Sequence, residues 1–264
     1  MQQNEKVCVG RRNPGTMIHK FLIPSFLVLF VASCNKKSDD AASVTPKETA
    51  PTIYQKIYGA TDLYAQGDYI IITSTGLPDH KSPYYQGTAW SSQYEAYNGS
   101  NASWSQNPNT IESTTYTFKI PKNPTVATTH AATPLGAIGV ALNGVPFYNQ
   151  YAGPSQPLTT EINSFDQYNG HPQQHGLYHY HVEPVYITAN KGSDALIGFL
   201  LDGFPVYGPV EGGVTITDAD LDTYHGHTHA TADYPNGIYH YHVTSADPYI
   251  NGSGFYGTAG TVSN

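Results

Sequence analysis

Beyond residue 53 the chain sets short apolar runs between turn-forming residues and seldom holds a helical stripe. Tyr69-Ile70-Ile71-Ile72-Thr73 reads as a strand, and Thr115-Tyr116-Thr117-Phe118-Lys119-Ile120 alternates with period two until Pro121 stops it. Ala137 to Leu142 and Leu196 to Leu201 are further apolar runs of strand length. Tyr178-His179-Tyr180-His181 and Tyr239-His240-Tyr241-His242 alternate strictly. Extended backbone sends both histidines of each to one face and both tyrosines to the other. Helical periodicity over ten residues or more is absent, and Thr217 to Leu221 opens one turn at most. Tyr, Thr, Gly, Asn and Pro dominate, a composition that favours strands joined by turns. The expected fold is all-β, a single sandwich-like domain.

The pattern repeats. Leu142-Asn143-Gly144-Val145-Pro146-Phe147-Tyr148 matches Leu201-Asp202-Gly203-Phe204-Pro205-Val206-Tyr207, and Asp166 to His171 matches Asp222 to His227. With the two Tyr/His segments, three blocks recur in one order at offsets of 59, 56 and 61 residues. That is an internal duplication, with halves at about 135–182 and 194–243. Asn143-Gly144 and Asp202-Gly203 suit tight hairpin turns in which both residues take positive φ.

The N-terminal stretch reads as an address. From Met17, the expected true start, His19 and Lys20 lead into the apolar run Phe21 to Ala32, too short to span a bilayer. Ala32-Ser33-Cys34 resembles a bacterial lipobox, making Cys34 the lipidated first residue and membrane anchor of an exported, cell-envelope protein, at the outer membrane or cell surface. Residues 34–52 read as a polar tether and 53–264 as the folded domain. Cys8 lies upstream, so the domain has no disulfide. From Cys34 onward there are eight lysines and no arginine against 19 acidic residues, a net charge of −11. A domain without arginine is a poor partner for nucleic acid.

Through the Tyr/His segments, the Asp-x-x-x-Gly-His segments, Leu142–Tyr148, Leu201–Tyr207 and Gly76-Leu77-Pro78-Asp79-His80, the chain resembles the YHYH-domain proteins of bacteria. The resemblance spans roughly residues 60 to 257. It implies a family defined by its motif, and implies no activity.

Nine of the eleven histidines after Cys34 fall between His171 and His242. Alternate strand residues lie roughly 6.5–7 Å apart, from where two imidazoles converge on one ion. His179, His181, His240 and His242 are the best candidate ligands, with His171, His227, Asp166 and Asp222 beside them. Asp79, His80, His175, His225 and His229 form a second rank. A donor set of imidazole and carboxylate without thiolate suits a transition ion, copper or zinc preferred. The competing reading makes each Tyr/His strand a buried hydrogen-bond ladder with no metal. Neutral imidazole is required for binding, so occupancy is expected to fall with pH near 6.5. Three functions compete: a metal-binding envelope domain, a metal-dependent hydrolase or oxidase, and a glycan- or protein-binding module with structural histidines. Phosphate-loop, dinucleotide and nucleophile-elbow motifs are absent.

Overall fold

Strand pairing follows the alternating segments closely. The computed structural model describes residues 45–252 and 254–264. The signal segment from Met17 and the lipidation candidate Cys34 lie outside the described residues. Val44–Asn264 is one compact unit. Its strands in chain order are β1 (Ala60–Gln66), β2 (Tyr69–Ser74), β3 (Tyr116–Pro121), β4 (Ala137–Ala141), β5 (Pro146–Tyr148), β6 (Tyr151–Ala152), β7 (Gln156–Pro157) and β8 (Gly170–Pro172). They continue with β9 (Tyr178–Tyr180), β10 (Leu196–Leu200), β11 (Pro205–Tyr207), β12 (Val210–Glu211), β13 (Val214–Thr215), β14 (Gly226–His229), β15 (Ile238–His242) and β16 (Thr261–Ser263). One short helix, α1 (Val185–Lys191), stands among them. The fold is all-β and sandwich-like, as expected.

A smaller sheet has the order β1-β2-β3-β16, and a larger one the order β14-β15-β11-β10-β4-β5-β9-β8. Side chains from both meet in one core, with Ile70, Ile72, Phe118 and Ile120 from the small sheet beside Val140, Phe147, Phe199 and Val206 from the large one. β10 is buried at every position, which explains why Leu196 to Leu200 is apolar without alternation.

The duplication is written into the large sheet. Each half is a hairpin (β4–β5, β10–β11), a parallel partner for its second strand (β9, β15) and an antiparallel edge (β8, β14). Equivalent strands β4 and β10 meet antiparallel at the centre, as a pseudo-twofold axis requires. Parallel neighbours cannot be joined by a tight turn, so a crossover must lead from β5 to β9 and from β11 to β15. Each crossover forms a two-residue hairpin, a 3₁₀ turn and the edge strand before the chain re-enters the sheet.

Two expectations change. The hairpin turns place only their glycines in the left-handed region, Gly144 at φ 82° and Gly203 at φ 85°. Gly144 N–H donates to Ala141 O and Ala141 N–H to Val145 O, a type I turn closed by a glycine bulge. Asn143 and Asp202 can therefore keep negative φ, and their side chains accept from the N–H groups of Val145 and Phe204. The end of the expected tether also belongs to the fold. Glu48 pairs with Ala65 through two backbone hydrogen bonds of 2.8 Å, and Ala50 is buried in the core. Polar composition hid this docking, because backbone groups alone cover the free edge of β1.

Candidate metal centres

Alternation along β9 puts His179 and His181 on one face and Tyr178 and Tyr180 on the other, and β15 repeats the arrangement. On the histidine face of the first half, β8 adds His171 and the 3₁₀ turn at Glu161–Ser164 adds Glu161. His179 Nε2 lies 3.1 Å from His171 Nε2 and 2.9 Å from His181 Nε2. Glu161 Oε1 lies 3.2 Å from His171 Nε2 and 4.0 Å from His181 Nε2. In the second half, Glu211 on β12 meets His240 Nε2 and His227 Nε2 at 3.2 Å each, and the rings of His227, His240 and His242 stand 4.8–5.0 Å apart. In each group of four, one ligand atom per residue lies within 4.8 Å of all the others.

The other ring nitrogens decide what these contacts are. His179 Nδ1 donates to Leu177 O at 2.8 Å and His181 Nδ1 to Asn149 O at 2.5 Å. His240 Nδ1 donates to Ile238 O at 3.0 Å and His242 Nδ1 to Gly208 O at 2.7 Å. A carbonyl oxygen can only accept, so each of these neutral rings carries its proton on Nδ1 and presents a bare lone pair at Nε2. The approach of His179 Nε2 to His181 Nε2 is thus no hydrogen bond, but two acceptors facing each other. Among the described residues, His227 Nε2 and His242 Nε2 are buried with no hydrogen-bond partner. A buried unpaired acceptor costs about 1–3 kcal/mol. One cation removes that cost at the bare nitrogens of a group together; in the first group His171 differs, because its Nε2 hydrogen-bonds Glu161 Oε1. The backbone carbonyls on Nδ1 play the orienting role usual behind ligating imidazoles.

Electrostatics hold the groups in this state. Burial pushes His181 and His242 down to about 4. Burial also places His179 well below the usual imidazole range, helped by His171 and His181, and lowers His240 and His227. The hydrogen bond with His171 holds Glu161 below the ordinary carboxylate range. Burial acts to raise Glu211, but His229, His227 and His240 together bring it down. At neutral pH His179, His181, His227, His240 and His242 are therefore neutral imidazoles beside an ionised Glu161 or Glu211, the protonation state that metal binding needs. Occupancy is accordingly expected to survive below 6.5, lower than an exposed histidine would allow.

The remaining candidates separate clearly. His179/His181 and His240/His242 do not share an ion. β9 and β15 are five strand spacings apart in the sheet, roughly 24 Å, and each pair has its own carboxylate. Asp166 and Asp222 stand outside both groups. Asp166 accepts from Tyr178 OH at 2.8 Å, Ser82 Oγ at 2.6 Å and the N–H groups of Tyr168 and Gly170. Asp222 accepts from Tyr239 OH at 2.8 Å and the N–H groups of Tyr224 and Gly226. Both carboxylates are spent on a turn and on the tyrosine face. Asp79 and His80 join that face too, through Asn143 Nδ2 and Tyr180 OH. His225 takes the left-handed turn position, φ 73°, that Asn169 holds at φ 66° in the first half, and its Nε2 meets Asp218 and Thr244. His175 is exposed at φ 64°. His229 is mostly exposed and contacts Glu211 Oε2 at 2.8 Å, the oxygen that His227 Nε2 also approaches, but it stands outside the group of four.

Glu161 and Glu211 escaped the sequence reading because they sit 50 residues apart, at none of the repeat offsets, on different parts of their crossovers. A signal existed in the first half. Between Tyr148 and His171 the only acidic residues are Glu161 and Asp166, and Asp166 belongs to the repeated turn.

No curated protein and no solved structure matches the chain. A family model described as YHYH protein matches residues 117–219 and again 210–254, just over half of the chain. Those residues contain both groups of candidate ligands, both Tyr/His strands and the central strand pair. The chain belongs to the YHYH protein family.

Proposed function

We propose that this protein binds two transition-metal ions, one in each half, each held by three imidazole Nε2 atoms and one glutamate, and that Cys34 anchors it in the cell envelope. The observation that carries the metal reading is the set of buried Nε2 lone pairs turned towards one another around a carboxylate, repeated across the pseudo-twofold. A hydrogen-bond ladder would pair those nitrogens with donors, whereas His179 Nε2 and His181 Nε2 face each other as acceptors and His242 Nε2 has no partner among the described residues. Instead, donors and acceptors pair on the tyrosine face, through Asp166, Asn143, Asp222 and Asp202. Three nitrogens and one oxygen suit zinc or copper better than magnesium or calcium, which prefer all-oxygen shells.

Metal content by mass spectrometry on purified residues 45–264 tests the reading. The expected result is two ions per chain after dialysis against zinc or copper. His179→Ala/His181→Ala and His240→Ala/His242→Ala should each hold one. Should either pair of substitutions impair folding, His171→Ala and His227→Ala, on edge strands, make the same comparison. Protein that stays metal-free after dialysis would defeat the proposal, and the histidines would then be architecture.

A further inference from the structure

The two centres are not equivalent in their surroundings. A cavity of about 730 Å³ borders the second one, and Glu211 and His242 are part of its wall. None of the first centre's four residues lines either cavity described in this fold. The side chain of His242 is buried, and its Nε2 lone pair has no partner. An ion held there would therefore adjoin an open space of the size that small organic ligands occupy.

The rest of the wall states what could enter. Leu142, Leu196 and Val210 give it an aliphatic side. Its charged residues are Lys56 and Lys191 against Asp194, Glu211 and Asp233, one net negative charge. Lys56 is neutralised by its ion pair with Asp233. Lys191 makes no ion pair among the described residues, and its ammonium stands 5.2 Å from the centre of the Tyr58 ring. A divalent ion on Glu211 and the neutral imidazoles reverses the sign to one net positive charge, with Lys191 on the same wall. Without the ion, the same space repels anions.

We propose that the second centre, once it holds a divalent ion, captures a small organic carboxylate in this cavity, with the carboxylate on the ion, the apolar body against the aliphatic wall and Lys191 as counter-charge. The first centre takes no such ligand. This rests on the metal reading above, and the test keeps the two separate. Residues 45–264 are loaded with copper(II), the ion count is measured, and phenylacetate is titrated while visible absorption is followed. A saturable band shift is expected in the wild type and in His179→Ala/His181→Ala, or in His171→Ala should the double variant fold poorly. The shift should vanish in His227→Ala. Lys191→Ala should weaken it about tenfold, the size of one charge-assisted contact, and Lys191→Arg should restore most of it. Calorimetry on chelator-treated protein should detect no phenylacetate binding. Failure to load copper at the second centre would overturn the metal reading and this inference with it. Copper bound there with a spectrum that phenylacetate leaves unchanged would overturn this inference alone, as would equal binding to the metal-free protein.

Discussion

Each Tyr/His strand divides its labour by residue. Histidines on one face present lone pairs, while tyrosines on the other donate their hydroxyl protons to Asp166, Asp222 and Asp202. Asp166 shows how much one carboxylate can organise, because it accepts four hydrogen bonds and none comes from a candidate ligand. Asp166→Asn keeps the shape but removes the charge and one pair of acceptor sites. It should cost about 1.5–3 kcal/mol in urea denaturation, the range for hydrogen bonds to charged groups, while two ions per chain remain. An ion lost in Asp166→Asn would make the aspartate a ligand after all. In sequence Asp166 and Asp222 look like ligands because an acid near a histidine pair is the natural partner of a metal. Glu161 and Glu211 stay hidden there because repeat offsets reveal only what duplicates in register, and the crossovers have diverged. The six histidines were legible for the opposite reason: strand alternation and the Gly-His pair are local patterns that burial cannot disguise.

At the scale of elements, the Gly-His pair acquires a physical cause. A Cβ added at Gly170 would fall 2.3 Å from Tyr178 OH, and one at Gly226 would fall 2.5 Å from Tyr239 OH. The tyrosine hydroxyl crosses over the glycine to reach the aspartate four residues earlier, and this crossing locks each edge strand to its neighbour. Register is thereby fixed, with His171 opposite His179 and His227 opposite His240. Glycine before the histidine is thus a condition for assembling the ligands. Gly226→Ala should displace β14 or Tyr239, with an overpacking cost of about 1–3 kcal/mol. Its second centre should lose zinc affinity while its first keeps an ion, measured as a stoichiometry falling from two towards one in chelator competition. Two ions bound as tightly as in the wild type would show that the edge strand tolerates the shift. The Tyr/His strands, β2, β3, β4 and β10 could be read from alternation and apolar runs of strand length. The short strands β6, β7, β12 and β13 could not, since two residues carry no period and their pairing depends on the crossover that contains them.

For the whole molecule, duplication sets a stability problem that acid should expose. Both halves bury imidazoles that must stay neutral. His181 and His242 ionise near 6.5 in an unfolded chain and at about 4 in the folded one. Between those values the unfolded chain takes up protons that the fold refuses, so stability is full above pH 6.5 and is lost as the pH falls towards 4. A shift of that size corresponds to roughly 3 kcal/mol per histidine, and the burial-lowered His179, His240 and His227 act in the same direction. Asp202 opposes them. Burial raises it from 3.8 to about 6, so its contribution grows as the pH falls through that interval and offsets about one histidine. The net result remains a protein that weakens on acidification, against a usual stability of about 5–15 kcal/mol for a folded domain. Metal-free residues 45–264, followed by circular dichroism in chelator, should therefore unfold between pH 6 and 4. Zinc at a hundred times its dissociation constant adds about 2.7 kcal/mol per centre by mass action, and protons must then compete with the ion for Nε2. The acid midpoint should accordingly move lower with zinc present, by an amount that halves in His240→Ala/His242→Ala. Metal-free protein equally stable at pH 7 and pH 4 would mean that the folded chain takes up protons as readily as the unfolded one, and the buried lone-pair arrangement on which both centres depend would fall.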